Sequence, residues 1–173
     1  MRYTVHGPYR IPLEGGKFKT RIDRQDLKLF WDTVGLDLAE ACGCYVFTIK
    51  TDAGEKPWYV GKAQKQDFFS ECFTKHKKDH YHAALDRTRG KPFMYFLARR
   101  TGSQYSQKTK SPTGYPEIDF VERMFIDFAY QQNPKIQNKR DTKNSEQLVI
   151  EGFYNSKDRR KISVQKLYDV LDI

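Results

Sequence analysis

Cysteine is scarce in this chain, and long apolar runs are missing. The three cysteines, Cys42, Cys44 and Cys72, are odd in number and form no CxxC pair. That spacing argues against both a disulfide framework and a zinc site, and the thiols are expected to be reduced. No stretch approaches the roughly 18 apolar residues needed to cross a bilayer, and no charged-then-apolar leader opens the chain. A soluble, cytoplasmic protein without membrane association is expected. There is no internal repeat and no low-complexity domain.

What is present is positive charge on a chain of one-domain size. The 173 residues suffice for one core, and the formal net charge is +9. Lysines and arginines that displace counterions from phosphates give sequence-independent affinity, so a polyanionic partner, nucleic acid above all, is expected.

Three segments follow from local pattern. Residues 1–41 are an N-terminal extension that begins irregularly at Gly7-Pro8 and Gly15-Gly16. It becomes helical over Leu27, Leu29, Phe30, Trp31, Val34 and Leu36, with Asp23 as cap, and packs on the core. Residues 42–140 form the central domain, with strands predicted at about Gly43–Lys50, Trp58–Lys62 and Pro92–Ala98. Both alternating faces of the first strand are apolar, so the sheet needs cover on both sides. One helix is predicted from about Asp67 to before Arg89, carrying Phe69, Cys72, Phe73, His76 and His80. Another runs from Glu117 to Gln132, stopped by Asn133-Pro134. Thr101–Pro116 reads as a mobile surface loop. Residues 141–173 are a basic tail closed by a short amphipathic helix over Val164, Leu167, Tyr168, Val170 and Leu171.

Glu122 stands out. On a helix it projects from the stripe made by Ile118, Val121, Phe125 and Ile126. Taking a carboxylate out of water costs several kcal/mol, so it must be protonated, paired with a cation, bound to a metal, or at a cleft edge. A salt bridge to a lysine or arginine of an adjoining element and a functional role are equally compatible with this position. His76 and His80 have the spacing of a helical metal pair, but the neighbouring lysines oppose a cation there. His76 is expected to face a cleft, with His80 and His82 on a solvated face.

The segments Gly43-Cys44-Tyr45 and Tyr59-Val60-Gly61, joined by a turn-like stretch, resemble the paired motifs of the GIY-YIG nucleases. Glu122 followed by Phe125-Ile126, Pro134 and Asn138 is similar to that family's late motif. The resemblance covers about Gly43 to Asn138. It implies an α/β fold with a small three-stranded, mainly antiparallel sheet flanked by helices. It also implies hydrolysis of a DNA phosphodiester with a single Mg2+ or Mn2+ ion.

On that resemblance Glu122 holds the metal and Tyr45 is the general base. Tyr59, Lys62 and His76 organise water and phosphate, while Gly61 and Asn138 support the site. A free tyrosine titrates near 10, so Tyr45 is expected to need cationic neighbours, with Lys62 placed to supply charge. Lys75, Lys77, Lys78, Arg87, Arg89, Lys139 and Arg140 are candidate nucleic-acid contacts.

One position departs from the family. Cys72 stands where an arginine is expected, and a thiol cannot replace a guanidinium on a phosphate. A cation elsewhere, a shifted alignment, or loss of chemistry would each account for it. The alternatives are therefore a non-catalytic nucleic-acid-binding or assembly module, and a small-molecule or nucleotide pocket on the same scaffold.

Overall fold

The computed structural model describes residues 2–14, 21–22 and 26–138, with isolated positions beyond. The chain divides into two compact units, 1–138 and 139–173. The first is α/β: an open antiparallel sheet of five strands flanked by helices.

Its elements, in order, are β1 (Arg2–Arg10), α1 (Leu27–Val34), α2 (Leu36–Ala39), β2 (Gly43–Thr51), β3 (Gly54–Ala63), α3 (Phe68–Glu71), α4 (Lys75–Arg87), β4 (Lys91–Thr101), β5 (Gln104–Tyr105) and α5 (Pro116–Gln132). The strand order is β1-β4-β2-β3, with β5 paired to β4. β2 and β3 form the expected hairpin, placing Tyr45 opposite Gly61 and Phe47 opposite Tyr59.

The expected three strands are five. The segment read as irregular is β1, which runs antiparallel to β4 and shifts register between His6 and Tyr9. Gly7-Pro8 sits at that irregularity. Proline removes a ladder donor, and an edge strand tolerates the loss because one side of it is unpaired. β5 adds a short hairpin inside the segment read as a loop.

Two of the three long helical predictions break into pieces, whereas the one from Glu117 to Gln132 stands whole as α5. Gly35, at φ 86°, separates α1 from α2, a backbone angle that other residues adopt only with strain. Asp23, the expected cap, lies outside the described residues, and Asp26 occupies the position before α1. Asp67 does cap a helix, accepting the Ser70 N–H at 2.8 Å, but α3 ends after one turn and α4 starts anew at Lys75. The predicted C-terminal helix falls largely outside the described residues.

The sheet is covered on both faces, as its apolar alternation requires. On one face Tyr45, Phe47, Tyr59 and Phe96 of the sheet pack with α1 to α4 through Phe30, Leu38, Phe68 and Tyr81. On the other, Cys44, Leu97 and Val60 pack against Ile118, Ile126 and Ala129 of α5. β3 is an edge strand, and its free side is closed by the chain after α5. Asn138 accepts the Val60 N–H at 2.9 Å and donates to the Val60 carbonyl at 2.7 Å, while the Gln137 N–H bonds the Trp58 carbonyl at 2.8 Å. A buried side chain thus substitutes for a neighbouring strand.

Candidate functional site

Candidate residues gather on both sides of the run Tyr59-Val60-Gly61-Lys62 in β3. Alternation along the strand sends Tyr59 to the α4 face and Lys62 to the α5 face, giving two adjoining clusters.

On the α4 face, the Tyr59 hydroxyl accepts a 2.9 Å hydrogen bond from Lys77 Nζ, and Lys77 is also paired to Glu71 at 3.3 Å. The His80 ring stacks on Tyr59, with centroids 5.1 Å apart and planes at 18°. The Nε2 atoms of His80 and His76 lie 3.2 Å apart, a distance at which one ring donates and the other accepts. Burial lowers the His80 pKa, and the nearby His76 and Lys77 lower it further, which favours the neutral ring. His80, expected on a solvated face, is the imidazole against Tyr59. His76, expected in the cleft, is the exposed member of the pair.

Tyr45 lies beside this cluster, fully buried. Its ring crosses Gly61, where an added Cβ would come within 2.5 Å of the hydroxyl oxygen, so only glycine lets the ring lie there. The hydroxyl has no hydrogen-bond partner among the described residues. Burial holds its pKa well above 10, and Tyr81, Cys72, Tyr59 and Glu71 all act in the same direction. The expected cationic neighbours of Tyr45 are therefore not what surrounds it. Near neutrality Tyr45 keeps its proton and is a donor. Tyr59 is also raised by burial, but Lys77 opposes that rise.

On the α5 face, Lys62 Nζ bridges Glu122 at 2.7 Å and Asp119 at 2.8 Å. Burial works against the Lys62 charge, but hydrogen bonds and attraction from the two carboxylates push its pKa up to about 12. Lys62 is therefore committed to carboxylates rather than to Tyr45. The Glu122 charge still reaches around the strand, since it is among the groups that raise Tyr59. Gln64 fixes this side: its Nε2 donates to Asp119 at 3.0 Å and its Oε1 accepts the Tyr115 N–H at 2.8 Å. The segment before α5, read as a mobile loop, is pinned through Gln64.

Cys72 brings no positive charge to either cluster. It is fully buried at the break between α3 and α4, where its carbonyl accepts the Tyr81 hydroxyl at 2.9 Å and burial raises its thiol well above 9. The cation beside Tyr59 comes from Lys77, one of the candidates the sequence offered. Lys75 is exposed at the start of α4, while Arg87 and Arg89 lie at its far end, about 15 Å along the axis from Lys77. Lys139 and Arg140 lie outside the described residues.

Sequence reading missed Asp119, Gln64, Glu71 and His80. Asp119 carried a findable signal, since it precedes Glu122 by one helical turn and so shares its face. Gln64 carried none.

Asp119 and Glu122 are the residues on the α5 face that would hold a hard divalent cation. Among the described residues no three of His, Cys, Asp and Glu converge, but Asp119 and Glu122 do, around a cationic group already seated between them. Two carboxylates with the remaining positions left to water and phosphate are a set that magnesium accepts. No helix among the described residues is long and apolar enough to cross a membrane. No family model, curated protein or solved structure matches the chain.

Proposed function

We propose that this protein is a metal-dependent nuclease that hydrolyses phosphodiester bonds, with DNA the expected substrate, on a divergent GIY-YIG-like fold. The observation that carries this reading is the Lys77 ammonium on the Tyr59 hydroxyl, with Lys62 three residues further along the same strand and paired to Asp119 and Glu122 of α5. It supports a role for Lys77 as the cation that the sequence lacks at Cys72.

Phosphodiester hydrolysis needs stabilised negative charge, a deprotonated water and a proton for the leaving oxygen. Glu122 and Asp119 would hold Mg2+ or Mn2+, which supplies charge stabilisation to the phosphoryl oxygens. Lys77 and Tyr59 bind and orient the phosphate. Tyr45, protonated and without a partner, donates a hydrogen bond into the site rather than acting as base. The His80 ring, kept neutral by burial and hydrogen-bonded to His76 at 3.2 Å, is the proton acceptor best matched to neutral pH. Lys75 and Lys78 extend the positive surface along α4, where they suit a phosphate backbone.

A non-catalytic nucleic-acid-binding module is favoured instead by one observation, the depth at which the Tyr45 hydroxyl is buried. The two readings separate on supercoiled plasmid and on labelled single- and double-stranded oligonucleotides, with Mg2+, Mn2+ or chelator. The nuclease reading expects metal-dependent nicking that is lost in Glu122→Ala and Lys77→Ala. Salt-sensitive binding without turnover on every substrate would establish the binding module.

A further inference from the structure

On the face of the sheet opposite α5, the helices α1 to α3 surround an open cleft of about 600 Å³, a volume suited to a small ligand. Three of its walls are rings. Trp31 lies 5.3 Å from Phe69, with planes at 50°, and 5.7 Å from Phe73, with planes at 79°. Trp31 and Phe73 also pack on the core, but Phe69 is 56% exposed and Leu36, on the same cleft, is 71% exposed. Large apolar side chains left in water around one concavity mark a binding surface.

The rim narrows the choice of occupant. Lys28 and Asp32, both exposed, stand one helical turn apart on α1 and give the cleft a donor and an acceptor. An unstacked base offers a flat π-face to the rings and hydrogen-bonding edges to such a pair, whereas an aliphatic ligand uses neither. The setting is cationic: the chain carries a net +9, and α4, with Lys75, Lys77 and Lys78 in its first turn, starts two residues after Phe73. A row of rings joins the cleft to the phosphate site proposed above. Phe73 is 6.2 Å from Tyr81, and Tyr81 is 5.8 Å from Tyr59, whose hydroxyl carries Lys77.

Building on the nuclease reading above, we propose that this cleft takes an unstacked nucleobase of a single strand, laid on the exposed ring of Phe69 beside Trp31, while the adjoining phosphates run toward Lys77. Bases within an intact duplex are stacked on one another and enter such a cleft only if flipped out. The cleft therefore selects single-stranded or unpaired nucleic acid over duplex.

The test is binding of the full chain to a labelled single strand, to an abasic strand of the same length and to the duplex, read by fluorescence anisotropy at one salt concentration. Phe69→Ala is expected to weaken single-strand binding by about tenfold and duplex binding by less than about twofold. The abasic strand should bind the wild type about tenfold more weakly, with no further loss in Phe69→Ala, because ring and base act as one contact. Phe69→Tyr keeps a stacking face and should retain affinity, whereas Phe69→Leu, apolar without a ring, should not. Of the two tryptophans Trp58 is only 4% exposed, so the single strand should quench tryptophan emission in the wild type and not in Trp31→Phe.

Equal single-strand affinity in wild type, Phe69→Ala and Phe69→Leu overturns the base site, as does an equal loss on the abasic strand or the duplex. Dimerisation of the wild type that Phe69→Ala abolishes, with strand binding unchanged, assigns the cleft to a second copy of the chain instead. Base-dependent binding through Phe69 without metal-dependent cleavage supports the base site while removing the nuclease reading. Metal-dependent cleavage by a wild type whose strand affinity is indifferent to Phe69 removes the base site alone, and an absence of binding to every strand removes both.

Discussion

On the face that α1 to α4 cover, the core beneath the candidate site is built from rings: Tyr45, Phe47, Tyr59, Phe68 and Tyr81, with Tyr81 stacked on Phe47 at 4.3 Å. On the face that α5 covers, the fully buried side chains Val60, Ile118 and Ile126 are aliphatic, with the rings of Tyr3, Phe125 and Tyr130 only partly buried around them, and Lys62, Asp119 and Glu122 form an ion cluster at the rim. The ring-built face buries hydroxyls and raises their pKa values. The aliphatic face leaves its ion cluster partly in water, where the groups stay charged. One strand, by alternating its side chains, thus presents proton-holding chemistry on one side and cation-holding chemistry on the other.

The largest expected effect breaks the charged side. Glu122→Ala leaves Lys62 paired with Asp119 alone, and cleavage rates should fall by orders of magnitude while the melting transition moves little, because ion pairs at a solvent-reached rim add little stability. Cleavage assays beside a thermal melt read both quantities, and retained cleavage would remove the role given to Glu122.

Breaking the ring-built side should cost stability instead. Gly61→Ala forces a methyl group into the Tyr45 ring and is expected to destabilise by about 1–3 kcal/mol in urea unfolding. Asn138→Ala leaves the Val60 N–H and carbonyl without their partner, at a cost of about 2 kcal/mol. An Asn138→Ala protein as stable as the wild type would show that water closes the β3 edge equally well.

The pH dependence sharpens the comparison. Burial lowers the pKa of both His80 and His82 below the ordinary 6.5, and His82 Nε2 accepts the Ile22 N–H at 3.2 Å, which requires an unprotonated nitrogen. The unfolded chain therefore takes up protons first. The stability these rings contribute is complete above about pH 6.5 and is lost as pH falls below it. Melting curves between pH 8 and 5 should show this decline, with a smaller slope in His82→Gln.

The smallest effect falls on Tyr45→Phe. It removes a buried hydroxyl that lacks a partner, so stability should be unchanged or raised by up to about 1 kcal/mol. A fall in cleavage without a fall in stability would separate the chemical use of that hydroxyl from its packing.

Much of this arrangement was legible locally. Strong alternation in Gly43-Cys44-Tyr45-Val46-Phe47 and in Trp58-Tyr59-Val60 marked β2 and β3, and Glu122 on an apolar stripe marked itself as a carboxylate in need of a cation. What could not be read was which cation. Lys62 is 60 residues away in sequence and meets Glu122 only because β3 is the strand beneath α5. The helix predicted through Cys72 failed for a similar reason. Its apolar spacing is helical, but burying Phe68 and Tyr81 on one sheet face is achieved by two short helices with a break between them. β1 was hidden because Gly7-Pro8 locally opposes a strand, and only its pairing with β4 offsets that preference.

By itself, the sequence determined the hairpin, the apolar demand for cover on both faces, the basic surface and the anomaly of Glu122, since periodicity and the cost of burying charge act over a few residues. Tertiary structure alone decided that Lys77 stands beside Tyr59, that His80 rather than His76 stacks on it, and that Asp119 shares Lys62 with Glu122. Those contacts depend on strand order and helix placement, which settle which distant groups come within hydrogen-bonding distance.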